Sequence, residues 1–382
     1  MKVLILGADG YLGWPTCMYF SQRNHEVIGV DNYFRRQAGM ELDCESLIPT
    51  PNLNRRAKIW QELTGKKIDI QIGDVTHYPF LLSLMRRYTP DVVIHYAEQP
   101  SAPYSMIDHE KAVFTVQNNL ISTLNIAYAI KAVNLDCHLI KIGTMGEYGT
   151  PDIDIEEGWL EIEHKGRKDR FLFPRQASSL YHTTKIQDTD LLWFYVRTWG
   201  LRVTDLMQGP VYGIKTEESE LDENLLTIFN YDEVFGTVLN RFIVQAIAGY
   251  PLTVFGKGEQ IRGFINIKDT MQCVYLAATN PAASGELRIF NQVTETFSIN
   301  QLADKVKNTG LTLGYNVEIA HIENPRVEKE KHYYNPTYTG LLEIGLEPNY
   351  LNSAVIKEFF QIVSKYKDQI NISAIYKCIS WK

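Results

Sequence analysis

The sequence lacks several features, and each absence narrows the kind of protein that it can encode. No apolar run in its 382 residues is long enough to cross a membrane. Basic residues are not in excess: 38 Lys and Arg stand against 45 Asp and Glu, and the formal charge of −7 offers no electrostatic footprint for nucleic acid. The first apolar strand begins at residue 2 or 3, so we expect no signal or transit peptide.

Cysteine is also scarce. The five cysteines are odd in number and scattered, with no C-x-x-C pair, which argues against a disulfide framework and against a metal site. We therefore expect buried, reduced thiols and a cytoplasmic location. The five are Cys17, Cys44, Cys137, Cys273 and Cys378.

A glycine-rich segment follows the first apolar run. Residues 7–13 read GADGYLG, directly after the predicted strand. Glycines let the backbone turn sharply and approach a pyrophosphate, which then sits at the positive end of a helix. A glycine triplet alone is weak evidence, because any turn from strand to helix can use glycine. Pro15 supports the helix, since it falls in the first turn, where a missing N–H costs little.

A carboxylate ends the second apolar strand at Asp31. At this distance from the first glycine it can accept the adenosine ribose hydroxyls, and it would repel a 2′-phosphate, which favours NAD over NADP. Arg35 and Arg36 leave an alternative open. Their guanidinium groups could hold that phosphate, clamp the pyrophosphate or lie in a solvated turn.

Strands and helices alternate through the first half of the chain, which predicts parallel strands with crossover helices on both faces. The expected fold is α/β, a Rossmann-type doubly wound parallel sheet with a smaller C-terminal substrate-binding lobe. We expect an NAD-binding domain over 1–208, with insertions at 34–66 and 150–178. A mainly substrate-binding lobe would span 209–382, with some segments returning to the first domain. The predicted strands are 2–7, 26–31, 69–73, 92–96, 138–143 and 202–208, and the predicted helices are 11–22, 78–88, 111–133, 180–199 and 237–248.

Tyr181 and Lys185 stand four residues apart, so both side chains share one face of the predicted helix 180–199. An ammonium group lowers the pKa of a nearby phenol towards neutrality, and the tyrosinate can then take a proton from a sugar hydroxyl while a hydride leaves for nicotinamide. Thr144, just past strand 138–143, can hydrogen-bond the same hydroxyl. The spacing Y-x-x-x-K is common by chance, but the glycine-rich start and the threonine make a catalytic pair the favoured interpretation.

These motifs together resemble the extended short-chain dehydrogenase/reductase family, whose members act on nucleotide sugars. The segments QGPVYG at 208–213 and R-x-F-x-x-I-x-D at 262–269 add to the resemblance. It implies bound NAD, contacted by Tyr181 and Lys185 and by Gly7, Gly10, Tyr11, Leu12, Gly13, Asp31, Asn32, Tyr33, Arg35, Arg36, Asp74, Val75, Tyr96, Ala97, Asn118 and Val211. The implied substrate contacts are Ser101, Thr144, Gln176, Gln208, Thr237, Asn240, Arg241, Arg262 and Arg326.

Longer stretches resemble one branch of this family, the enzymes that make UDP-sulfoquinovose from UDP-glucose and sulfite. They include AEQ at 97–99, SAPYSMID at 101–108 and GTMGEYGTP at 143–151, and the similarity runs to about residue 350. The resemblance implies oxidation at C4 of the sugar, loss of the C5 proton and the C6 hydroxyl, addition of sulfite at C6 and return of the hydride to C4. Sulfite could arrive free or from a donor protein.

The two residues after the threonine depart from ordinary sugar 4,6-dehydratases, which resemble one another in an Asp-Glu pair there. This chain has Met145 and Gly146, and its next carboxylate is Glu147, with Glu98 as another candidate. The resemblance places Met145 and Glu147 in the catalytic set. The group that removes the C5 proton stays open between Glu147, His182 and Tyr181.

Sulfite needs hydrogen-bond donors or positive charge in a closed pocket. Plant-type members of this branch resemble one another in an arginine at the position of Pro100, so no charged contact is assigned there. The candidate lining residues are Ser101, Arg175, Gln176, Ser178 and His182.

Other functions remain open on the same scaffold. A 4,6-dehydratase is disfavoured by the missing Asp-Glu pair, whereas a 4-epimerase is not excluded. A protein that only senses NAD is disfavoured because Tyr181 and Lys185 are both present. The resemblance also implies a homodimer, in which helices 111–133 and 180–199 of each subunit form a four-helix interface.

Overall fold

A computed structural model describes residues 1–325, 333–376 and 379 of the chain. Its first strand begins at Lys2. The strands are β1 (Lys2–Leu6), β2 (Glu26–Asp31), β3 (Ile68–Ile72), β4 (Val92–His95), β5 (His138–Thr144), β6 (Trp159–His164), β7 (Arg167–Leu172), β8 (Arg202–Gln208), β9 (Val211–Tyr212), β10 (Leu252–Phe255), β11 (Ile261–Asn266), β12 (Leu287–Gln292), β13 (Glu295–Ser298) and β14 (Ile319–Ile322). The helices are α1 (Gly13–Gln22), α2 (Phe34–Glu41), α3 (Leu53–Thr64), α4 (Tyr78–Tyr88), α5 (His109–Val133), α6 (Leu180–Trp199), α7 (Val238–Ala248), α8 (Ile267–Thr279), α9 (Ile299–Thr312), α10 (Gly340–Glu343), α11 (Ser353–Val363) and α12 (Ile372–Tyr376).

A seven-stranded parallel sheet forms the centre of the molecule, in the order β12-β8-β5-β4-β1-β2-β3. Strands β1, β2 and β4 at its centre are mostly apolar on both faces, because helices cover both sides. Along β1, Val3 and Ile5 belong to one buried cluster, while Leu4 and Leu6 belong to the cluster on the other face. The predicted doubly wound sheet is confirmed, and all six predicted strands belong to it.

The five predicted helices are present with small shifts at their ends. The helix predicted over 11–22 begins at Gly13, because the preceding loop closes a turn in which Gly10 N–H donates to the Gly7 carbonyl at 3.2 Å. The helix predicted over 111–133 begins at His109, because the Asp108 carboxylate caps it through Lys111 N–H at 2.7 Å.

Both insertions contain more secondary structure than the sequence predicted. Residues 34–66 form α2 and α3, and the Asn52 side chain caps α3. Residues 150–178 contain the antiparallel hairpin β6–β7, whose side chains are mostly exposed. Its charged residues hide the alternation that a half-buried strand would show.

The residues after β8 form a second apolar core around α7, α9 and α11. Two smaller sheets accompany it, β13-β11-β9 and β10-β14. Strand β12 leaves this lobe and pairs with β8 at the edge of the large sheet. The functional division at residue 208 stays a prediction.

Four of the five cysteines lie in the described residues, where they are buried and form no disulfide, namely Cys17, Cys44, Cys137 and Cys273. Cys378 lies outside the described residues. Within the described part of the chain, no helix is both long enough and apolar enough to traverse a lipid bilayer.

Candidate active site

The glycine-rich loop lies at the switch point of the sheet, where the strand order reverses between β1 and β4. Gly7 has φ of +89°, and a Cβ there would come within 2.7 Å of the Tyr96 carbonyl carbon. A Cβ on Gly13 would meet the Gly7 carbonyl oxygen at 2.0 Å. Because only glycine fits these positions, the backbone forms an open cradle at the N-terminus of α1. The cradle fits a dinucleotide pyrophosphate.

Asp31 ends β2 beside this cradle. Its Oδ2 accepts a hydrogen bond from Asp9 N at 2.8 Å, and its Oδ1 accepts one from Tyr33 N at 2.6 Å. Burial, together with the charge of Asp9, raises the pKa of Asp31 to about 6. Each oxygen keeps a second acceptor position, so the carboxylate fits a contact with ribose hydroxyls.

The two arginines after Asp31 are engaged with the protein itself. Arg36 donates to the Asp9 carboxylate at 2.5 and 3.0 Å and to the Thr50 carbonyl at 2.9 Å. The Arg35 guanidinium lies over the Phe235 ring, 3.2 Å from its centroid. These contacts favour a structural role over a hold on a 2′-phosphate, which agrees with NAD over NADP.

Other residues predicted to contact the cofactor lie around the same edge of the sheet. Asn32 donates to the Asp74 carboxylate at 3.0 Å and thereby joins the segments that follow β2 and β3. The Tyr11 hydroxyl donates to the Gly213 carbonyl at 2.7 Å. The buried or partly buried remainder comprises Gly10, Leu12, Val75, Ala97 and Val211.

Thr144 is the last residue of β5 and caps the turn Met145–Glu147. Its hydroxyl accepts from Gly146 N at 3.2 Å, and its own N–H donates to Glu147 Oε1 at 3.1 Å. This reciprocal arrangement is a capping box. It fixes the threonine at the carboxyl end of the sheet.

Two residues of the predicted catalytic set have other roles in the structure. The Glu147 carboxylate is fully buried and pairs with Lys141 at 3.3 Å and Arg175 at 3.0 Å. Because both oxygens are taken up by cations and the capping box, the arrangement favours a structural carboxylate over an acid or base for the substrate. Met145 is 5% exposed and packs within an apolar cluster, so its side chain fills the core.

Tyr181 and Lys185 share one face of α6, as predicted, but they are not linked as predicted. The Lys185 ammonium donates to Glu98 Oε2 at 2.5 Å. Burial, with the charges of Glu98 and Glu147, raises the pKa of Tyr181. This direction is opposite to the predicted lowering, and the Lys185 ammonium lies against Glu98 in this structure.

His182 occupies the space that a side chain at position 146 would need. A Cβ on Gly146 would lie 2.2 Å from His182 Nε2. The opposite ring nitrogen, Nδ1, lies 2.8 Å from the Ser178 hydroxyl and 3.0 Å from that of Ser179. The imidazole is thus held in one orientation, with Nε2 against the turn that follows Thr144.

The predicted sulfite contacts divide between surface and interior. The Ser101 hydroxyl donates to the Val234 carbonyl and accepts from Tyr104 N at 3.0 Å, which ties two loops together. Arg175 is committed to Glu147. Gln176 and Ser178 are exposed beside α6.

Several predicted substrate contacts in the second lobe make bonds inside that lobe. Asn240 is buried and donates to the Asn230 carbonyl at 2.9 Å, and Arg241 is buried and donates to the Thr253 carbonyl at 3.2 Å. These bonds hold both side chains within the lobe, and their contact with the substrate stays a prediction.

The remaining predicted substrate residues are spread over the same region. Thr237 caps α7, and Arg262 lies on β11 and donates to the Ile261 carbonyl at 2.8 Å. Gln208 donates to Gln292 at 3.0 Å. Arg326 lies outside the described residues.

Sequence reasoning missed Lys141, whose ammonium is fully buried behind the site. It contacts Asp205 at 3.1 Å, Thr189 at 2.7 Å and the Lys185 carbonyl at 3.2 Å, in addition to Glu147. It thereby connects β5, β8 and α6, the elements that carry Thr144 and the tyrosine–lysine pair. A signal was available, since a lysine inside the apolar run HLIKIGT must find buried partners.

Asn118 is predicted to contact the cofactor, and the next residue, Asn119, connects two elements of the site. Asn118 is partly buried and donates to Asn119 at 3.1 Å. Asn119 accepts from Gln99 N at 2.8 Å and donates to Thr184 at 3.0 Å. It therefore holds the loop after β4 to α6, which the spacing alone did not reveal.

Comparison with known proteins agrees with this geometry. Residues 3–291 match the model of the NAD dependent epimerase/dehydratase family. The chain is 49% identical to the chloroplastic UDP-sulfoquinovose synthase of Spinacia oleracea over 381 residues, covering 100% of this chain and 79% of the relative. It is 46% identical to the UDP-sulfoquinovose synthase of Sulfolobus acidocaldarius over 371 residues, covering 97% of this chain and 94% of the relative.

Solved structures share the fold at lower identity. UDP-glucuronic acid 4-epimerase from Bacillus cereus, solved with UDP-glucuronic acid and NAD, superposes with a TM-score of 0.71 at 20% identity, covering 96% of this chain and 99% of that one.

Proposed function

We propose that this chain, which belongs to the NAD dependent epimerase/dehydratase family, acts as a UDP-sulfoquinovose synthase on UDP-glucose and sulfite. The observation that carries the proposal is identity of 46–49% along the whole chain to two synthases, one from a plant and one from an archaeon. The pair Met145-Gly146, in place of the Asp-Glu of the 4,6-dehydratases, supports a different route after the first oxidation.

The cofactor is NAD, which when bound would supply the acceptor and the donor for the hydride at C4 of the sugar. Gly7 and Gly13 would admit its pyrophosphate to the N-terminus of α1, and Asp31 would receive the ribose hydroxyls. No external redox partner is required, because the sugar ends at the oxidation level at which it began.

Tyr181 would accept the proton of the C4 hydroxyl, and Thr144 would hydrogen-bond the same oxygen. Since burial raises the pKa of Tyr181, its ionised form needs a cation close by. Lys185 supplies that cation, and its three N–H donors allow it to keep Glu98 while it also reaches the ribose.

His182 is the base that we favour for C5. Oxidation at C4 acidifies the C5–H bond, and the imidazole can take this proton while the C5–H electrons form the C5=C6 bond and the C6–O bond breaks. The imidazolium then gives the proton to the departing hydroxyl, which leaves as water. Bisulfite bonds through sulfur to C6, and its proton passes by way of the imidazole to C5 before the hydride returns to C4. The orientation of the ring by Ser178 and Ser179 supports this assignment, whereas burial and ion pairing argue against Glu147.

Three finer proposals accompany this function. Sulfite would be held near His182 and Gln176, and it would come either free or from a donor protein. Two copies of the chain would associate through α5 and α6. The free buried cysteines agree with a reducing, cytoplasmic compartment.

The experiment that tests the function incubates purified protein with UDP-glucose, with and without sulfite, and follows nucleotide-sugar masses. We expect a sulfite-dependent species with the mass of UDP-sulfoquinovose, and no such species with Tyr181→Phe. A dehydrated 4-keto sugar that never incorporates sulfite would make the chain a dehydratase. An unchanged mass with formation of a C4 epimer would make it an epimerase.

A further inference from the structure

Asp188 is a buried carboxyl group on α6, one turn after Lys185. The residue is 0% exposed, and both carboxyl oxygens are shielded from solvent. No ion pair involves it within the described residues, and the hydroxyl of Thr123 on α5 is its polar neighbour. An ionised carboxylate in such surroundings costs several kcal/mol unless a cation contacts it.

The lysines near Asp188 form their ion pairs with other carboxylates. Lys185 donates to Glu98, and Lys141 pairs with Glu147 and Asp205. Burial lowers the pKa of His95, next to Glu98, to about 4, so this imidazole is neutral at pH 7. Among the described residues of this cluster the carboxyl groups are Glu98, Glu147, Asp188 and Asp205, and the cations are Lys141, Arg175 and Lys185.

This cluster would carry one excess negative charge if all four carboxyl groups were ionised. One proton balances it, and Asp188 is the member that makes no ion pair. We propose that Asp188 keeps this proton in the working enzyme, so that the Lys185 ammonium stays paired with Glu98.

The shifts of the two neighbouring carboxyl groups run in opposite directions. Burial, followed by the charge of Glu98, raises the pKa of Asp188 well above its usual value. Burial also works to raise the pKa of Glu98, but the charges of Lys185 and Lys141 lower it. Of the two carboxyl groups near the Lys185 ammonium, Glu98 is therefore the charged one and Asp188 the neutral one.

The neutral form matters for Tyr181, two turns away on the same helix. The negative charges of Glu98 and Glu147 already raise the pKa of the phenol, and an ionised Asp188 would raise it further. A proton on Asp188 therefore eases the ionisation that C4 oxidation requires. Only this consequence rests on the proposed function.

The direct test is infrared spectroscopy of the full-length protein at pH 8. We expect the difference spectrum between wild type and Asp188→Asn to contain the carbonyl band of a protonated carboxylic acid. The matched control is Asp190→Asn, because Asp190 is exposed two residues further along α6. Its difference spectrum should contain only carboxylate bands, and a carboxylate signature for Asp188 as well would overturn the proposal.

A second measurement does not depend on the folding of the variant. In wild-type protein labelled with ¹³C at the aspartate carboxyl carbons, one resonance should keep its protonated shift up to pH 8. If every resonance titrates to the ionised shift below pH 7, the proposal is wrong. Both spectroscopic outcomes are independent of the substrate, so they can fail separately from the assigned synthase activity.

The pH profile gives a functional readout. We expect Asp188→Asn to change kcat by less than about 3-fold and to leave the pH profile in place, because the substitution removes no charge. If Asp188 worked as an anion, the substitution would move the limb that reports ionisation of Tyr181 to lower pH.

Discussion

At the scale of single residues, Gly146 has no side chain, and the imidazole of His182 occupies the space that one would need. His182 Nε2 would lie 2.2 Å from a Cβ there, so glycine and histidine are fitted to each other. Gly146 stands where the 4,6-dehydratases have the glutamate of their Asp-Glu pair, and this departure is visible in the sequence. The imidazole from α6 that fills the space is visible only in the structure.

Gly146→Ala tests this fit. We expect the methyl group to displace the imidazole and to lower kcat by about 100-fold, as a misplacement of about 1 Å can do. The measurement is a double-substitution cycle of kcat with His182→Ala. In the His182→Ala background, adding Gly146→Ala should cost little more, because the group that it displaces is gone. Equal losses in both backgrounds would contradict the proposed link.

A second residue, His138, lies outside the site and makes the stability of the folded protein depend on pH. It is 1% exposed on β5, and its Nε2 lies 2.9 Å from the Thr204 hydroxyl. Burial, followed by the charges of Arg288 and Arg202, lowers its pKa to about 3. The folded protein therefore keeps this imidazole neutral in mild acid, while an unfolded chain takes up a proton below about pH 6.5.

His138→Gln should make the free energy of unfolding less sensitive to pH. Because the folded pKa is depressed, stability is lost as pH falls below 6.5, and the loss continues to about pH 3. Between pH 7 and pH 5 this residue accounts for about 2 kcal/mol. Urea unfolding at both values should give a smaller difference for the variant than for wild type. The contribution of His95 cancels because both proteins contain it, and equal differences would contradict the prediction.

At the scale of elements, helix α3 of the first insertion supports the glycine-rich loop. Arg56 on α3 is fully buried and donates to Asp9 at 2.5 Å, and its guanidinium lies 4.7 Å from the Trp14 ring centroid. Arg36 on α2 donates to the same carboxylate. The insertion is thus part of the wall behind the cofactor cradle.

Arg56→Met tests this support. Removing one partner of a buried pair leaves the other poorly compensated, and we expect the free energy of unfolding to fall by about 3 kcal/mol. Arg55→Met is the matched control, because Arg55 is exposed on the same helix and should change stability by less than about 0.5 kcal/mol. Urea unfolding measures both, and equal effects would show that the pair with Asp9 is unimportant.

The elements also show what a sequence can predict. Strands β1 and β4 contain short apolar runs, and α6 has a serine cap, so their positions were predictable from local pattern. The hairpin β6–β7 was not, because its faces are charged. The contact between Arg56 and Asp9 joins residues 47 positions apart, and the contact of His182 with Gly146 joins two separate motifs. Such long-range pairings follow from the closed fold and leave no local trace.

At the scale of the whole molecule, α5 and α6 pack against each other and expose apolar side chains on their outer side. Ile121 and Tyr128 on α5 are 41% and 43% exposed, and Phe194 on α6 is 51% exposed. The two helices also carry Asn119 and Lys185, so the surface lies directly behind the site. Burial of these side chains against a second copy would remove apolar area from water.

We therefore expect the protein to sediment as a dimer at micromolar concentration. Ile121→Glu combined with Phe194→Glu places charges on both helices, and we expect this variant to sediment as a monomer because buried unpaired charges oppose association. Leu311→Glu is the matched control, since Leu311 is 50% exposed on α9 in the other lobe, and it should leave the dimer intact. A wild-type monomer would contradict the dimer, and a dimer that survives the double substitution would move its interface away from α5 and α6.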